Sequence, residues 1–410
     1  MEDCKTKRVA IGMLEPLFRL TTGYSGDEWT LWHARRVLRS NKERNTCNKV
    51  AFIIHYLFEL DHLRGIFAHL PRGSYDIVLV NYKNPFTFWR ESCFGMCMSE
   101  DVVRKKVKVD SLCRVRTLAD VAESDERYSI VFTACWAFFS SFLKGRPSWL
   151  ADRFFYGAFS FHVCLFSHIR FTFGFDEIFC IGPLQKSIFR DRGLKKVELL
   201  DCGSPRLDGR IALEPKVVCK DLEPRKKVIA CSFAHSAFKI VRAISVLLKR
   251  LSIDYNIVFK FIYFSRREKS VMDLVSRQSG IHVRRDVDNV DVMAIADFVF
   301  CDMYGGSLET AIGLDKNVVI IEGSRPVVDC RSFCFKVVRR VAVQLGAFSI
   351  DDHDKIAATL KDDAYWERQR IVRAELRKQF FSFHKEPSGK LIADELMRDL
   401  RAASERNVKP

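Results

Sequence analysis

Short, predominantly apolar segments recur along this chain with room for one helix between most neighbours, and that rhythm restricts the fold more than any other feature. In the first half the segments are Lys49–Tyr56, Tyr75–Asn81, Ser129–Ala134, Phe159–Phe166, Glu177–Ile181 and Val197–Asp201. Runs of this length with no polar alternation read as strands buried on both faces, which is the condition of a parallel sheet clothed by helices. Glu59–Leu70 between the first two runs has helical spacing of its apolar residues, so strand, helix and strand form a βαβ unit. Residues 84–127 are less regular, with a helix predicted at Leu118–Ala122.

The pattern then restarts. Leu213–Lys227 is rich in Pro and Lys and reads as a linker. Beyond it, strands are predicted at Lys227–Cys231, Asn256–Phe261, Ile281–Val283, Phe298–Cys301 and Val318–Ile321. Helices are predicted at Ser236–Lys249, Ser270–Gln278, Val290–Ala296 and Ser307–Leu314, with a helical tail over Asp352–Leu400. A chain of 410 residues is long for one domain. The expected organisation is an N-terminal extension (1–48, with a helix at Asp27–Leu38), a first Rossmann-like domain (49–215), a second (216–380) and a C-terminal helix (381–410) packing back toward the first domain. This is an α/β protein of the GT-B kind, two Rossmann-like parallel-sheet domains facing a cleft.

Ala296–Ile321 carries the chemistry most plainly. Gly305 and Gly306 fall where a strand hands over to a helix, so backbone can approach a ligand and the helix amides can face an anion such as a diphosphate. Ser307 joins them, and Glu309 in the first helical turn can accept hydrogen bonds from ribose hydroxyls. The same residues would equally serve a plain turn, with Glu309 complementing the helix dipole.

Lys and Arg outnumber Asp and Glu by 67 to 51, a formal charge of +16. That favours polyanions or an anionic membrane surface. No nucleic-acid partner is expected, because RNP-type aromatics, zinc-finger spacing and a recognition-helix motif are missing. The basic runs Arg104–Lys108, Arg225–Lys227 and Arg339–Arg340 are dispersed and read as solvated faces. The 14 cysteines stand mostly alone; Cys164, Cys180, Cys231 and Cys301 sit in apolar runs, and only Cys93 and Cys97 come close together. They read as reduced thiols of a cytosolic protein, with no metal site. The start has no secretory h-region. Phe154–Phe173 approaches spanning length but holds His162, His168 and Arg170, so a buried strand with a helical flank is expected rather than a membrane span.

Four passages resemble the CDP-glycerol glycerophosphotransferases of teichoic-acid and capsule polymer synthesis, whose fold relatives include the UDP-N-acetylglucosamine 2-epimerases. Asp176-Glu177-Ile178, Gln185–Arg192 and Gly203–Asp208 are similar to the family's strand, helix and G-x-P-R-x-D order. Ala296-Asp297 with Asp302–Ser307 resembles its aspartate–tyrosine–serine loop. Gly305–Glu309 with Gly313–Val318 is closer to the epimerase form, and Phe380–Leu396 is similar to the family's end. Where the family has a His-Gly pair this chain has His168-Ile169, and where it has Lys-x-His-Pro this chain has Lys260-Phe261-Ile262-Tyr263.

The resemblance implies a transferase that moves a glycosyl or alditol-phosphate group from a CDP- or UDP-linked donor to a glycan or lipid-linked acceptor. It would use no cofactor beyond that donor and would work in the cytoplasm, or peripherally on the inner face of the plasma membrane. His168 would deprotonate the acceptor. His235, in the turn after Lys227–Cys231, would touch phosphate or act as acid/base, though it could equally cap a helix. Arg206 would neutralise the leaving nucleotide, or form an ion pair with Asp208 that holds its turn. A soluble UDP-sugar 2-epimerase and a non-catalytic binding protein of the same fold are the alternatives.

Overall fold

The computed structural model describes residues 44–54, 59–79, 100–107, 111–134, 148–159, 174–191, 193–210, 218–233, 237–260, 275–278, 280–284, 287–303, 306–322 and 333–408. The expected helix at 27–38, most of that at 270–278, and Cys93, Cys97 and Cys164 lie outside them.

In chain order the first half runs β1 (Asn45–Ile54), α1 (Glu59–Phe67), β2 (Tyr75–Leu79), α2 (Glu100–Lys106), β3 (Val115–Thr117), α3 (Leu118–Glu123), β4 (Glu126–Thr133), β5 (Ala151–Ala158), β6 (Glu177–Cys180), α4 (Pro183–Asp191) and β7 (Glu198–Asp201). The second runs β8 (Lys227–Ser232), α5 (Ala237–Leu251), β9 (Tyr255–Lys260), β10 (Ile281–Arg284), α6 (Asn289–Ala294), β11 (Phe298–Cys301), α7 (Gly306–Gly313), β12 (Asn317–Glu322), α8 (Phe333–Leu345) and β13 (Phe348–Ser349). The tail is α9 (His353–Thr359), α10 (Asp363–Phe380) and α11 (Ser388–Val408).

These strands form two sheets, ordered β3-β2-β1-β4-β5-β6-β7 and β10-β9-β8-β11-β12-β13. Every pairing is parallel. Each sheet reverses direction of build beside its first strand, at β1/β4 and at β8/β11, and such reversal points leave a crevice at the strands' C-terminal ends. The two-faced burial predicted from composition is visible strand by strand. In β11, Val299 and Cys301 enter the core shared with the first sheet, while Phe298 and Phe300 enter a second core under α5 and α10.

Two elements depart from expectation. A strand that was not expected runs at Ala151–Ala158, ahead of the one expected at Phe159–Phe166, and pairs with β4 through Tyr128–Ala151 and Thr133–Tyr156. The apolar run continues unbroken from Phe154 to Phe159, so composition does not mark where pairing stops; Phe159 instead folds over Gly157 and stacks on Phe132. The rest of the expected span, 160–166, lies outside the described residues. β1 starts at Asn45, ahead of Lys49, because a bulge between Cys47 and Val50 lets Asn45–Cys47 pair with Glu126–Tyr128. The helices α2 and α8 and the strands β3 and β13 had no sequence-based expectation. Among the described residues no helix is long and apolar enough to cross a membrane.

The tail helices tie the halves together. α10 lies along the second sheet, where the Gln369 amide bonds both Val318 backbone groups and Leu345 O at 2.8–2.9 Å. α11 crosses back onto α1 and β1. That crossing is glycine on glycine: a Cβ on Gly389 would lie 2.4 Å from the Gly65 carbonyl. Farther along, Asp399 of α11 meets Arg153 of β5 at 2.6 Å, and Arg153 also holds Glu177 of β6 at 2.5 Å.

Two expectations follow. Gly389→Ala should cost about 2 kcal/mol or more in denaturant unfolding, since backbone on both sides leaves no flexible side chain to yield. Glu177 shares one arginine with Asp399; burial, then the Asp399 charge, outweigh Arg153 and push its carboxyl up from 4.5 to about 7. The folded state therefore holds a proton that the unfolded chain releases, and stability should fall as pH rises from 4.5 through 7. In Glu177→Gln that slope should flatten and the variant should be more stable than the wild type above neutral pH, read by urea unfolding across pH.

Candidate functional site

The turn after β7, Gly203-Ser204-Pro205-Arg206-Leu207-Asp208-Gly209-Arg210, is the joint on which the site is built. Gly203 adopts φ +78° and packs its bare Cα against Ser382 O and Ser388 Oγ, which a side chain would displace. Asp208 accepts from the amides of Ser388 (3.0 Å) and Gly389 (2.7 Å), capping α11. Its carboxylate is thereby spent on a helix start, and the Arg206–Asp208 pair considered from sequence is replaced by Arg206–Asp288.

Arg206 and Arg210 reach across to the start of α6. Arg206 Nη2 donates to Asp288 Oδ1 at 3.4 Å; Arg210 donates to Asp291 at 2.6 Å, to Asp288 at 3.4 Å and to Arg206 O at 2.8 Å. Arg64 of α1 approaches Asp291 at 3.9 Å. Because α1 starts after the C-terminal end of β1 and α6 after that of β10, these pairs bring the C-terminal edges of the two sheets to one seam. Asp288 also caps α6 through Val290 N at 3.0 Å. Burial raises its carboxyl, but Arg206, the Val290 amide, Arg210 and Lys106 outweigh burial and hold it at about 2.

A second polar line runs from that helix start to the glycine turn. Ser232, the last residue of β8, donates to Asn289 Oδ1 at 2.8 Å, and its oxygen meets Ser307 Oγ at 2.8 Å. Ser232 has one proton and gives it to Asn289, so Ser307 must donate to Ser232. The Ser307 hydroxyl proton therefore points inward, and an anion at this turn would meet the backbone N–H groups that open α7. Gly306 begins that helix with open space at its Cα, and Glu309 lies buried in its first turn. Arg206, Asp288, Asn289, Ser232 and Ser307 thus form one contiguous series at the reversal point of the second sheet.

Of the residues singled out from sequence, Arg206, Gly306, Ser307 and Glu309 fall at this seam, while Gly305, His168 and His235 lie outside the described residues. Sequence reasoning passed over Ser232, Asp288, Asn289, Asp291 and Arg210. The one signal for them was Asp288 standing before a helical run as an N-cap. It also passed over His62, in the first turn of α1 beside Asp61, whose carboxylate binds Lys106 at 2.9 Å.

Two six- and seven-stranded sheets with the 3-2-1-4-5-6 build, C-terminal edges opposed and a last helix returned to the first sheet, define a GT-B protein. The chain is similar in structure to the wall teichoic acid polymerase TagF with CDPG, at a TM-score of 0.61 and 13% identity over 98% of this chain and 99% of that one. It is similar also to the UDP-GlcNAc 2-epimerase of Neisseria meningitidis bound to UDP-GlcNAc (TM-score 0.58, 12% identity, 85% and 100% covered). A third such structure is UGT2 of Phytolacca americana with UDP-2fluoro-glucose and pterostilbene (0.53, 8%, 86% and 100%). No family model and no curated protein matches the sequence. At these identities the likeness is one of fold.

Asp288→Asn should cost about 3 kcal/mol at neutral pH, because Arg206 and Arg210 lose their shared counter-charge in a buried place. The depressed carboxyl stabilises the fold above 3.8, its unfolded value, and that contribution is lost as pH falls through about 2. The gap between variant and wild type in chemical unfolding should accordingly narrow over that acid range.

Proposed function

We propose that this protein is a transferase that moves a glycosyl or alditol-phosphate group from a nucleotide-activated donor onto a growing cell-surface polysaccharide or teichoic-acid-like polymer. The observation that carries the reading is the position of the glycine–serine opening of α7, at the reversal point of the second sheet, where backbone N–H groups stand free of the inward-turned Ser307 hydroxyl. A diphosphate suits such amides, and Glu309 in the same turn suits ribose hydroxyls. The near end-to-end overlap with TagF supports polymer transfer as the class of reaction.

In this reading residues 216–380 hold the donor and residues 49–215 the acceptor, which is a glycan or lipid-linked alcohol. The bond to the nucleotide breaks with its electrons left on a phosphate oxygen, and amides aimed at that oxygen lower the barrier. Arg206 is engaged by Asp288, so phosphate charge is met mainly by the α7 amides, with Arg206 lending a field rather than a direct contact. His168 and His235 are proposed as acid/base groups. The donor enters as substrate and no further cofactor is invoked. The net charge of +16 suits an anionic polymer or peripheral attachment to the inner membrane face.

The Gly-Gly-Ser-Leu-Glu form of the turn, together with the epimerase overlap, favours one second reading, a UDP-sugar 2-epimerase. Thermal unfolding with UDP, CDP and their linked donors tests both: the preferred nucleotide at 100 times its dissociation constant should add about 2.7 kcal/mol. Glu309→Ala should weaken that nucleotide roughly tenfold, about 1.4 kcal/mol. No response to either nucleotide would sink the proposal, and donor isomerisation without acceptor would replace it with the epimerase.

A further inference from the structure

The inward-turned Ser307 hydroxyl keeps its proton from any ligand at the start of α7, and the chain of donors that it begins ends on Asn289. Ser307 donates to Ser232, and Ser232 to Asn289 Oδ1, each at 2.8 Å. The oxygen of that carboxamide is thereby committed, which settles its orientation and leaves Nδ2 as the end turned away from Ser232. Asn289 is only 7% exposed. Its Nδ2 nevertheless donates to nothing among the described residues and is not enclosed by protein, so the small accessible part of the side chain includes its donor end. Two N–H groups are thus presented at the tip of a side chain that is otherwise buried and tied down.

The setting of that tip names the chemistry of its ligand. Asn289 opens α6, Ser232 closes β8 and Ser307 stands in the first turn of α7, so all three lie at the C-terminal edge of the second sheet, and α6 packs on α7. The carboxamide and the α7 amides therefore border one crevice. Because Oδ1 accepts from a hydroxyl that is itself accepting, the carboxamide is polarised and its N–H groups become stronger donors. The charges at the start of α6 favour an anion as well. Arg64, Arg206 and Arg210 face Asp288 and Asp291, three guanidinium groups against two carboxylates. A sugar hydroxyl could accept from Nδ2, but it would use neither the excess positive charge nor the α7 amides. A phosphate oxygen uses all of them.

We infer that Asn289 Nδ2 and the N–H groups that open α7 form one anion site, in which Asn289 donates to a phosphate oxygen of the nucleotide-linked donor. The inference rests on the transferase reading and adds a side chain to the backbone groups that bind the diphosphate there. The Ser307 side chain serves the same phosphate indirectly, by holding Asn289 through Ser232. With its acceptor oxygen already taken, the carboxamide meets a ligand only as a donor, and the site accepts oxyanions without a competing lone pair.

Calorimetric titration of the full chain with inorganic pyrophosphate, UDP and CDP tests this. The wild type should bind pyrophosphate and one of the two nucleotides. Asn289→Asp keeps the shape and the oxygen that accepts from Ser232 but puts an anionic oxygen where the donor was. It should unfold in urea close to the wild type and lose roughly 100-fold in affinity for both ligands. Asn289→Ala, which adds no charge, should lose roughly tenfold. Wild-type affinity in Asn289→Asp would mean that the carboxamide only accepts from Ser232, and the inference would fall. It would fall equally if Asn289→Ala bound as tightly as the wild type, since the loss in Asn289→Asp would then be charge repulsion. Pyrophosphate bound by the wild type and weakened in both variants, with neither nucleotide bound, would uphold the anion site and overturn the transferase reading. A wild type that bound none of the three would overturn both.

Discussion

The seam between the sheets depends on buried arginines that have no water to fall back on. Arg210 is 5% exposed and Asp288 4%, so neither can exchange its partner for solvent without a penalty of several kcal/mol. That obliges the turn after β7 and the start of α6 to stay together, and everything that meets at the seam inherits its position from them. Asn289 follows Asp288 directly, and through Ser232 it sets the direction of the Ser307 proton. Asp208, in the same turn, fixes where α11 begins. One eight-residue turn therefore orients the first sheet, the second sheet and the tail at once.

The alternation of strands and helices was legible because parallel strands covered on both sides must be apolar throughout, and few other arrangements give that composition. The site was legible only in part. Gly306 and Glu309 stand at a strand-to-helix junction whose geometry follows from local sequence. The partner of Arg206 is 82 positions away and the partner of Ser307 is 75 positions away, and nothing local announces such pairings. The strand at Ala151–Ala158 illustrates a different limit: in Phe154–Phe166 the composition is apolar beyond the length any strand requires, and only the register with β4 decides which part is used.

The similar structures span a polymerase, an epimerase and UGT2 of Phytolacca americana, so the architecture specifies a place more firmly than a reaction. What this structure adds is the wiring of that place. The Ser307 hydroxyl is turned inward by Ser232 and Asn289, so the position of its proton is set by the protein itself.

The glycine contact between α1 and α11 has a consequence for how the molecule is made. The first sheet is translated early, yet the surface of α1 and β1 that α11 covers waits for residues near 389–404 to leave the ribosome. Until then the nascent chain carries an uncovered apolar face, and Asp208 lacks the Ser388 and Gly389 amides it accepts from in the finished fold. Synthesis order and folding order are thus decoupled: a helix made after both sheets completes the first of them.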